Sequence, residues 1–254
     1  MVLKGGCKIA LKRMKKLVIA TNNAHKLAEI REMLGERYEI LGLADIGCHE
    51  DIPETASTIE GNAEMKARYV QEHYGLDCFS DDTGLEIDAL GGEPGVHSAR
   101  YGGVAHDSER NIDKVLRLMA DVPVEQRTAR FRTAIVLLQA DVVHRFEGRV
   151  EGRILTERHG TGGFGYDSIF QPVEGDGRTF AQMDSSEKNA ISHRGRAVAA
   201  LVEFLRNREL RIENQEPRCE MQDARQEPRT KSQEPSETRD ARCALQSHSL
   251  FTEN

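Results

Sequence analysis

The sequence has 254 residues, 38% of them hydrophobic and 30% charged, which is typical of a globular protein and argues against general disorder. Its longest apolar run, AIVLL at residues 134–138, has the length of a strand and falls far short of the roughly 18 residues that span a bilayer. The formal net charge of -7 excludes a general attraction to nucleic-acid polymers. We therefore expect a soluble protein, without a membrane partner, that binds a small phosphorylated ligand.

The two ends of the chain differ in composition from its middle. Residues 1–14 are basic and contain no acid, as in a targeting extension or a segment upstream of a natural start at Met14. From residue 211 onward the triplet Gln-Glu-Pro recurs, and apolar residues nearly vanish, so residues 211–254 are predicted to be a disordered tail. Residues 15–210 are then predicted to be the folded domain. Five widely spaced cysteines without a CxxC pair fit a reducing cytoplasm.

Strand and helix patterns alternate within this domain. The predicted strands are 17–21, 38–43, 78–80, 130–138 and 142–150, and the predicted helices are 26–34, 57–73, 108–119 and 192–207. The last two strands follow each other directly and are expected to form an antiparallel pair. The whole predicts an α/β fold, with a mixed central sheet flanked by helices, in one domain that could have two lobes.

The first candidate site lies between the first strand and the first helix. It consists of Thr21, Asn22, Asn23, Ala24, His25 and Lys26. Backbone N–H groups at such a junction, the positive end of the helix dipole and a lysine would together favour a phosphate. A Thr/Asn turn that only caps the helix explains the same residues equally well.

The second candidate site is the acidic pair Asp81-Asp82, which the pattern places at the end of a short apolar strand. Two adjacent carboxylates repel each other unless a cation compensates, and Mg²⁺ is bound through one or two carboxylates plus substrate phosphates. Glu60 fits a capping box that begins at Ser57, whereas Glu54 has no such assignment and is free to be a second metal ligand. Lys66 alone could belong to a solvated helix face.

Two later segments combine groups suited to a nucleotide. In the segment 161–167, glycines accompany Phe164, which can stack on a base, and Asp167, which can accept hydrogen bonds from ring N–H groups. Residues 184–187 scan as a second capping box, and Lys188, His193 and Arg194 follow it. Cations near a helix N-terminus oppose the dipole, so we expect an anion or acceptor to recruit them.

In this order the segments resemble those of the inosine triphosphate pyrophosphatase family, the Ham1/RdgB-like pyrophosphatases of non-canonical purine nucleoside triphosphates. The resemblance covers about residues 16–206 and rests on four blocks: TNNAHK at 21–26, SDDTGL at 80–85 with ALGGEPGVHSARY at 89–101, GFGYD at 163–167, and KNAISHR at 188–194. It implies an elongated Ham1/Maf-like fold, a homodimer, Mg²⁺, and hydrolysis of ITP, dITP and XTP to the monophosphate and pyrophosphate.

The resemblance also implies roles for single residues. Glu54 and Asp82 would bind the metal, and Asp82 would be the proton acceptor, with Asp81 beside it in the catalytic pair. Residues 21–26 and Lys66 would hold the triphosphate, and Thr83 would contact substrate. The base and phosphate contacts would come from Phe164, Gly165, Tyr166, Asp167, Lys188, His193 and Arg194. Only His25, where glycine or lysine is common, departs from the family pattern within these blocks.

Two other functions stay open from the sequence. One is a pyrophosphatase for other modified nucleotides, pyrimidines included, on a related fold. The other is a nucleotide-binding sensor that has lost catalysis and uses the tail to dock a partner, although the presence of Asp81, Asp82, Glu54 and Lys26 argues against it.

Overall fold

Seven strands and five α-helices follow one another in the computed structural model, which describes residues 15–104, 107–140 and 142–215. The strands are β1 Lys15–Ile19, β2 Tyr38–Leu41, β3 Cys78–Ile87, β4 Pro94–Gly95, β5 Thr128–Gln139, β6 Val142–Ile154 and β7 Phe170–Pro172. The helices are α1 Ala24–Leu34, α2 Ile59–Tyr74, α3 Ser108–Leu118, α4 Ser185–Ile191 and α5 His193–Gln215. Among the described residues no helix is long and apolar enough to cross a membrane.

One mixed sheet of order β2-β1-β3-β5-β6-β7 forms the centre of the fold, with β4 added to β3. Strand β1 runs parallel to both β2 and β3, whereas β3, β5, β6 and β7 pair in antiparallel fashion. The predicted mixed sheet and the predicted β5–β6 pair are therefore confirmed.

Side chains alternate between the two faces of the sheet, so neighbouring residues of one strand enter different cores. Leu17 and Ile19 of β1 pack with residues of α1 and α5, whereas Val18 packs with residues of α2. A third cluster joins α3 to the far half of β3 and to β5, β6 and β7. The same alternation separates consecutive polar residues of β3, which decides the layout of the site described below.

The prediction that the third strand ends at the acidic pair is wrong, because β3 continues to Ile87. Asp, Thr and Gly resemble a turn in the sequence, but β5 pairs with every residue of β3, and this ladder outweighs their low strand propensity. Asp81 lies opposite Ile135 and Asp82 opposite Ala134, so both carboxylates lie in the interior of the strand.

Two details of the predicted helices also need correction. Helix α2 is capped by Thr58, whose side chain accepts from the Gly61 N–H, while Glu60 forms an ion pair of 2.7 Å with Arg132 instead of a capping box. The predicted helix 192–207 begins one residue later, at His193, and the capped segment before it is a separate helix, α4, because Ser192 between them is extended (ψ 158°). The capping box of Asp184 and Glu187 is confirmed.

The predicted terminal segments mostly fall beyond the described residues. Residues 1–14, read as a basic extension, lie outside them, and so do residues 216–254 of the predicted tail. The last helix is longer than predicted, since α5 continues to Gln215.

Arg127 is buried without a carboxylate partner in the described structure, and its guanidinium joins the end of α3 to the end of β6. It donates to the carbonyl oxygens of Ile154 (2.8 Å), Met119 (2.6 Å) and Leu155 (2.9 Å). Replacing Arg127 with Met would leave these buried acceptors unpaired, so we expect the free energy of unfolding to fall by about 3 kcal/mol or more. Urea unfolding measures this, with the exposed Arg117→Met as the control that should stay within about 0.5 kcal/mol of wild type. An equal effect of the two substitutions would contradict the assignment.

Candidate active site

A cavity of about 530 Å³ brings together most of the residues that the sequence singled out. Those lining it are Thr21, Asn22, Asn23, His25, Lys26, Glu54, Lys66, Asp82, Thr83, Phe164, Gly165, Tyr166, Asp167, Lys188, His193 and Arg194. Ala24 and Asp81 do not line it. Four blocks, the first at 21–26 and the last at 188–194, therefore meet at one place.

The turn before α1 is a helix cap as well as a wall of the cavity. The Asn23 side chain accepts from the N–H groups of His25 (3.0 Å) and Lys26 (3.2 Å), and Thr21 Oγ1 accepts from the Asn23 N–H (3.2 Å). Three backbone N–H groups of this turn are thus already bonded within it. The ammonium of Lys26, whose side chain is only 12% exposed, adds a cation to this wall of the cavity.

Asp81 lies behind the cavity on the α5 face of the sheet and is fully buried. Its Oδ2 is 3.2 Å from Lys26 Nζ and accepts from Arg194 Nε at 3.2 Å, while its Oδ1 has no hydrogen-bond partner within the described part of the chain. Burial raises the pKa of this carboxyl, but the charges of Lys26 and Arg194 outweigh burial and hold the pKa well below its ordinary value. Asp81 is therefore ionised and holds two cations in place.

Asp82 projects from the other face of β3, toward α2. Its Oδ2 accepts from the Asn62 side-chain amide at 3.3 Å, and its Oδ1 is 3.8 Å from Lys66 Nζ. Burial raises its pKa, and the nearby charge of Lys66 only partly offsets that rise. The two adjacent aspartates thus differ in exposure to the cavity, in partners and in the direction of their pKa shifts.

Lys66 and Glu54 form the centre of the cavity wall next to Asp82. The ammonium of Lys66 donates to Glu54 Oε1 and to the Asp81 carbonyl oxygen, each at 2.7 Å. Burial raises the pKa of Glu54, but the charge of Lys66 outweighs it, and the net shift is downward. Lys66 is 6% exposed, so the alternative that it belongs to a solvated helix face is wrong.

Near Lys66, the carboxylates of Glu54 and Asp82 are candidate ligands for a cation that needs few ligands from the protein. Glu54 Oε1 lies 2.7 Å and Asp82 Oδ1 3.8 Å from one ammonium, so the two oxygens are at most about 6.5 Å apart. No group of three or more His, Cys, Asp and Glu side chains could hold a metal ion in the described part of the chain. Mg²⁺ is commonly bound through one or two carboxylates, with water and substrate phosphates as its other ligands, so a role for these two as its ligands stays a prediction.

At the other end of the cavity, two cations are held by carboxylates beside Phe164. Lys188 donates to Asp167 (2.8 Å) and to Glu29 (2.7 Å), and Arg194 pairs with Glu29 as well as with Asp81. The acceptors in the structure are the protein's own carboxylates, and the predicted contacts of these cations with substrate stay a prediction. Asp167 Oδ2 also accepts a hydrogen bond from the Phe164 N–H at 2.9 Å, so this oxygen is already bonded to the protein's own backbone.

At two positions of the loop around Phe164, the structure explains why the sequence has the residue it has. Gly163 has a φ of 68°, and a Cβ there would collide with the Asp167 carboxylate, so only glycine fits. The Tyr166 hydroxyl donates to the Ser98 carbonyl oxygen at 2.8 Å and joins the loop to the segment 98–100.

Several residues of the site were not predicted. Glu29 carries no motif, but it lies one helical turn after Lys26 on α1, and that spacing could have indicated it. Arg100 lines the cavity next to Glu54, with its Nη1 3.9 Å from Glu54 Oε2, and is 38% exposed. Asn62 contacts Asp82 from the first turn of α2.

His193 is buried at the Phe164 end of the cavity, with its ring stacked on Phe131 at 4.5 Å and its Nδ1 without a hydrogen-bond partner among the described residues. Burial first, and then the charges of Arg194 and Lys188, lower its pKa well below the ordinary value. The unfolded chain therefore binds the proton more readily, and wild-type stability should fall as the pH drops below about 6.5, by up to about 1.4 kcal/mol per pH unit. His193→Phe should lack this slope in urea unfolding between pH 5 and 7. Parallel curves for the two proteins would contradict the assignment.

This chain is similar in sequence and in structure to known proteins. Residues 17–204 match the model of the Ham1 family. A dITP/XTP pyrophosphatase of Porphyromonas gingivalis is 54% identical over 192 residues, which are 76% of this chain and 98% of that protein. The dITP/XTP pyrophosphatase of Bacillus subtilis is 46% identical over 194 residues, again 76% of this chain and 98% of that protein. The structure of a HAM1 protein from Coxiella burnetii matches with a TM-score of 0.69 at 38% identity and covers 76% of this chain and 100% of that chain.

Proposed function

The chain belongs to the Ham1 family, and we propose that it hydrolyses the non-canonical purine nucleoside triphosphates ITP, dITP and XTP to the monophosphate and pyrophosphate. One observation carries the proposal: a single cavity has an aromatic end with paired cations and an acidic end with Lys26 and Lys66. The names of the relatives from Porphyromonas gingivalis and Bacillus subtilis support the same reaction.

The acidic end suits attack on the α-phosphorus. Asp82, which lies on the cavity wall near Lys66, takes a proton from the attacking water. A bond then forms between that oxygen and the α-phosphorus, the bond to the bridging oxygen breaks, and pyrophosphate leaves. Lys26 and Lys66 bind phosphate oxygens and oppose the charge of the triphosphate. When Mg²⁺ is bound by Glu54 and Asp82, it supplies charge neutralisation between the carboxylates and the phosphates.

The aromatic end suits a 6-oxopurine. Phe164 offers a flat surface, and Lys188 and Arg194 offer N–H groups from which a 6-oxo group can accept hydrogen bonds. Adenine presents a 6-amino donor instead, which would leave a buried cation facing another donor. Discrimination against GTP must act at the 2-position, because guanine shares the 6-oxo group.

The proposal includes a homodimer in the cytoplasm. The dimer rests on the family resemblance, and the location rests on the nucleotide substrate and on the free thiols of the buried Cys48 and Cys78. The acidic net charge supports a nucleotide rather than a nucleic-acid polymer as the ligand.

Turnover of ITP, dITP, XTP, ATP and GTP by the purified chain tests the proposal. We expect pyrophosphate release from the first three with Mg²⁺, little from ATP and GTP, and none after chelation of the metal. Equal turnover of all five nucleotides would contradict the proposed selectivity for ITP, dITP and XTP. Preference for modified pyrimidines would assign the chain to other damaged nucleotides, and binding without turnover would make it a sensor.

A further inference from the structure

Two aromatic rings face each other inside the cavity. The imidazole of His25 and the ring of Phe164 have centroids 5.3 Å apart and planes inclined by 15°, and both residues line the cavity wall. They come from different elements, since His25 lies in the first turn of α1 and Phe164 in the glycine-containing loop before β7. Stacking therefore brings together two segments that are 139 positions apart.

Charged groups surround this pair of rings. Lys188 Nζ is 4.8 Å and Arg194 Cζ 5.4 Å from the centroid of Phe164, and Glu29, which binds both cations, lies one helical turn after His25. A flat apolar surface edged by donors and a carboxylate complements a purine, whose faces are apolar and whose edge is polar.

We propose that His25 is the second wall of the base-binding slot, so that the purine ring inserts between His25 and Phe164. This rests on the proposed function, and it assigns His25 to the base and not, as the family resemblance implies, to the triphosphate. Two stacking contacts of roughly 3.5 Å need centroids about 7 Å apart, so the rings must separate by about 2 Å. His25 is exposed and its N–H is fixed by Asn23, so rotation of its side chain alone can open the slot.

Calorimetric titration with inosine monophosphate and, separately, with inorganic pyrophosphate tests the slot. His25→Ala should weaken binding of the monophosphate about 5- to 50-fold and leave pyrophosphate binding unchanged, because only the base is stacked. His25→Phe should keep the monophosphate affinity near that of wild type. His73→Ala is the matched control, since His73 stacks on Tyr69 at 4.0 Å outside the cavity, and it should change neither affinity.

Three results would contradict the proposal that His25 and Phe164 form the slot. Loss of pyrophosphate binding in His25→Ala with the monophosphate affinity retained would assign His25 to the phosphates. Unchanged affinities for both ligands would place the base on the other face of Phe164. Wild-type protein that binds neither ligand would overturn the proposed function, and the slot with it.

Discussion

Asp82→Asn is expected to lower ITP turnover by about 10² to 10⁴-fold while the protein stays folded and still binds nucleotide. Asparagine has the shape of aspartate but cannot take a proton from water. Its main neighbours, Asn62 and Lys66, would remain in place, since Lys66 keeps its bonds to Glu54 and to the Asp81 carbonyl. Pyrophosphate release measures turnover, and titration with a non-hydrolysable ITP analogue measures binding.

The matched control is Asp88→Asn, which alters a carboxylate that directly follows β3 and lies outside the cavity, with its side chain 42% exposed. It should leave turnover near wild type. Near-wild-type turnover in Asp82→Asn would show that another group accepts the proton.

Asp81→Asn is expected to act on stability instead, by lowering the free energy of unfolding by roughly 3 kcal/mol or more. The substitution leaves the nearly buried Lys26 without its carboxylate and takes one of two carboxylates from Arg194. Nucleotide affinity should fall as well, because the two cations would no longer be held at their places. Urea unfolding and analogue binding measure the two effects.

The pH dependence of this difference has a definite sign. Lys26 and Arg194 hold the folded-state pKa of Asp81 below its unfolded value of about 3.9, so the stabilisation is present above that pH and is lost as the pH falls further. Wild type and Asp81→Asn should therefore converge in stability in strong acid. Wild-type stability of the variant at neutral pH, combined with lost turnover, would contradict the account and make Asp81 a reacting group.

The acidic pair shows what the sequence could and could not predict. The place of Asp82 in the cavity could be predicted from the apolar residues that flank the pair in the chain. The division of the pair into a buried anchor, Asp81, and a cavity carboxylate, Asp82, required the length of β3, because only a continuing strand sends adjacent side chains to opposite faces. That length is set by pairing with β5, which is a long-range contact that local propensity does not contain.

The cations show the same limit. A role for Lys188 and Arg194 could be inferred because their charge is unfavourable near a helix N-terminus. Their partner Glu29 is more than 150 residues away, on α1; its spacing from Lys26 could indicate a place in the site but not its contact with these two cations. Through Glu29 and Asp81, Arg194 connects the Phe164 end of the cavity with Lys26 at the acidic end. The structure thus links two ends of the cavity that appear independent in the sequence.

The most direct test of the proposed reaction is the fate of the solvent oxygen. ITP is hydrolysed by the wild-type chain with Mg²⁺ in water labelled with heavy oxygen, and the products are examined by mass spectrometry. Attack at the α-phosphorus predicts labelled inosine monophosphate and unlabelled pyrophosphate. Labelled pyrophosphate, or inosine diphosphate with labelled phosphate, would contradict it.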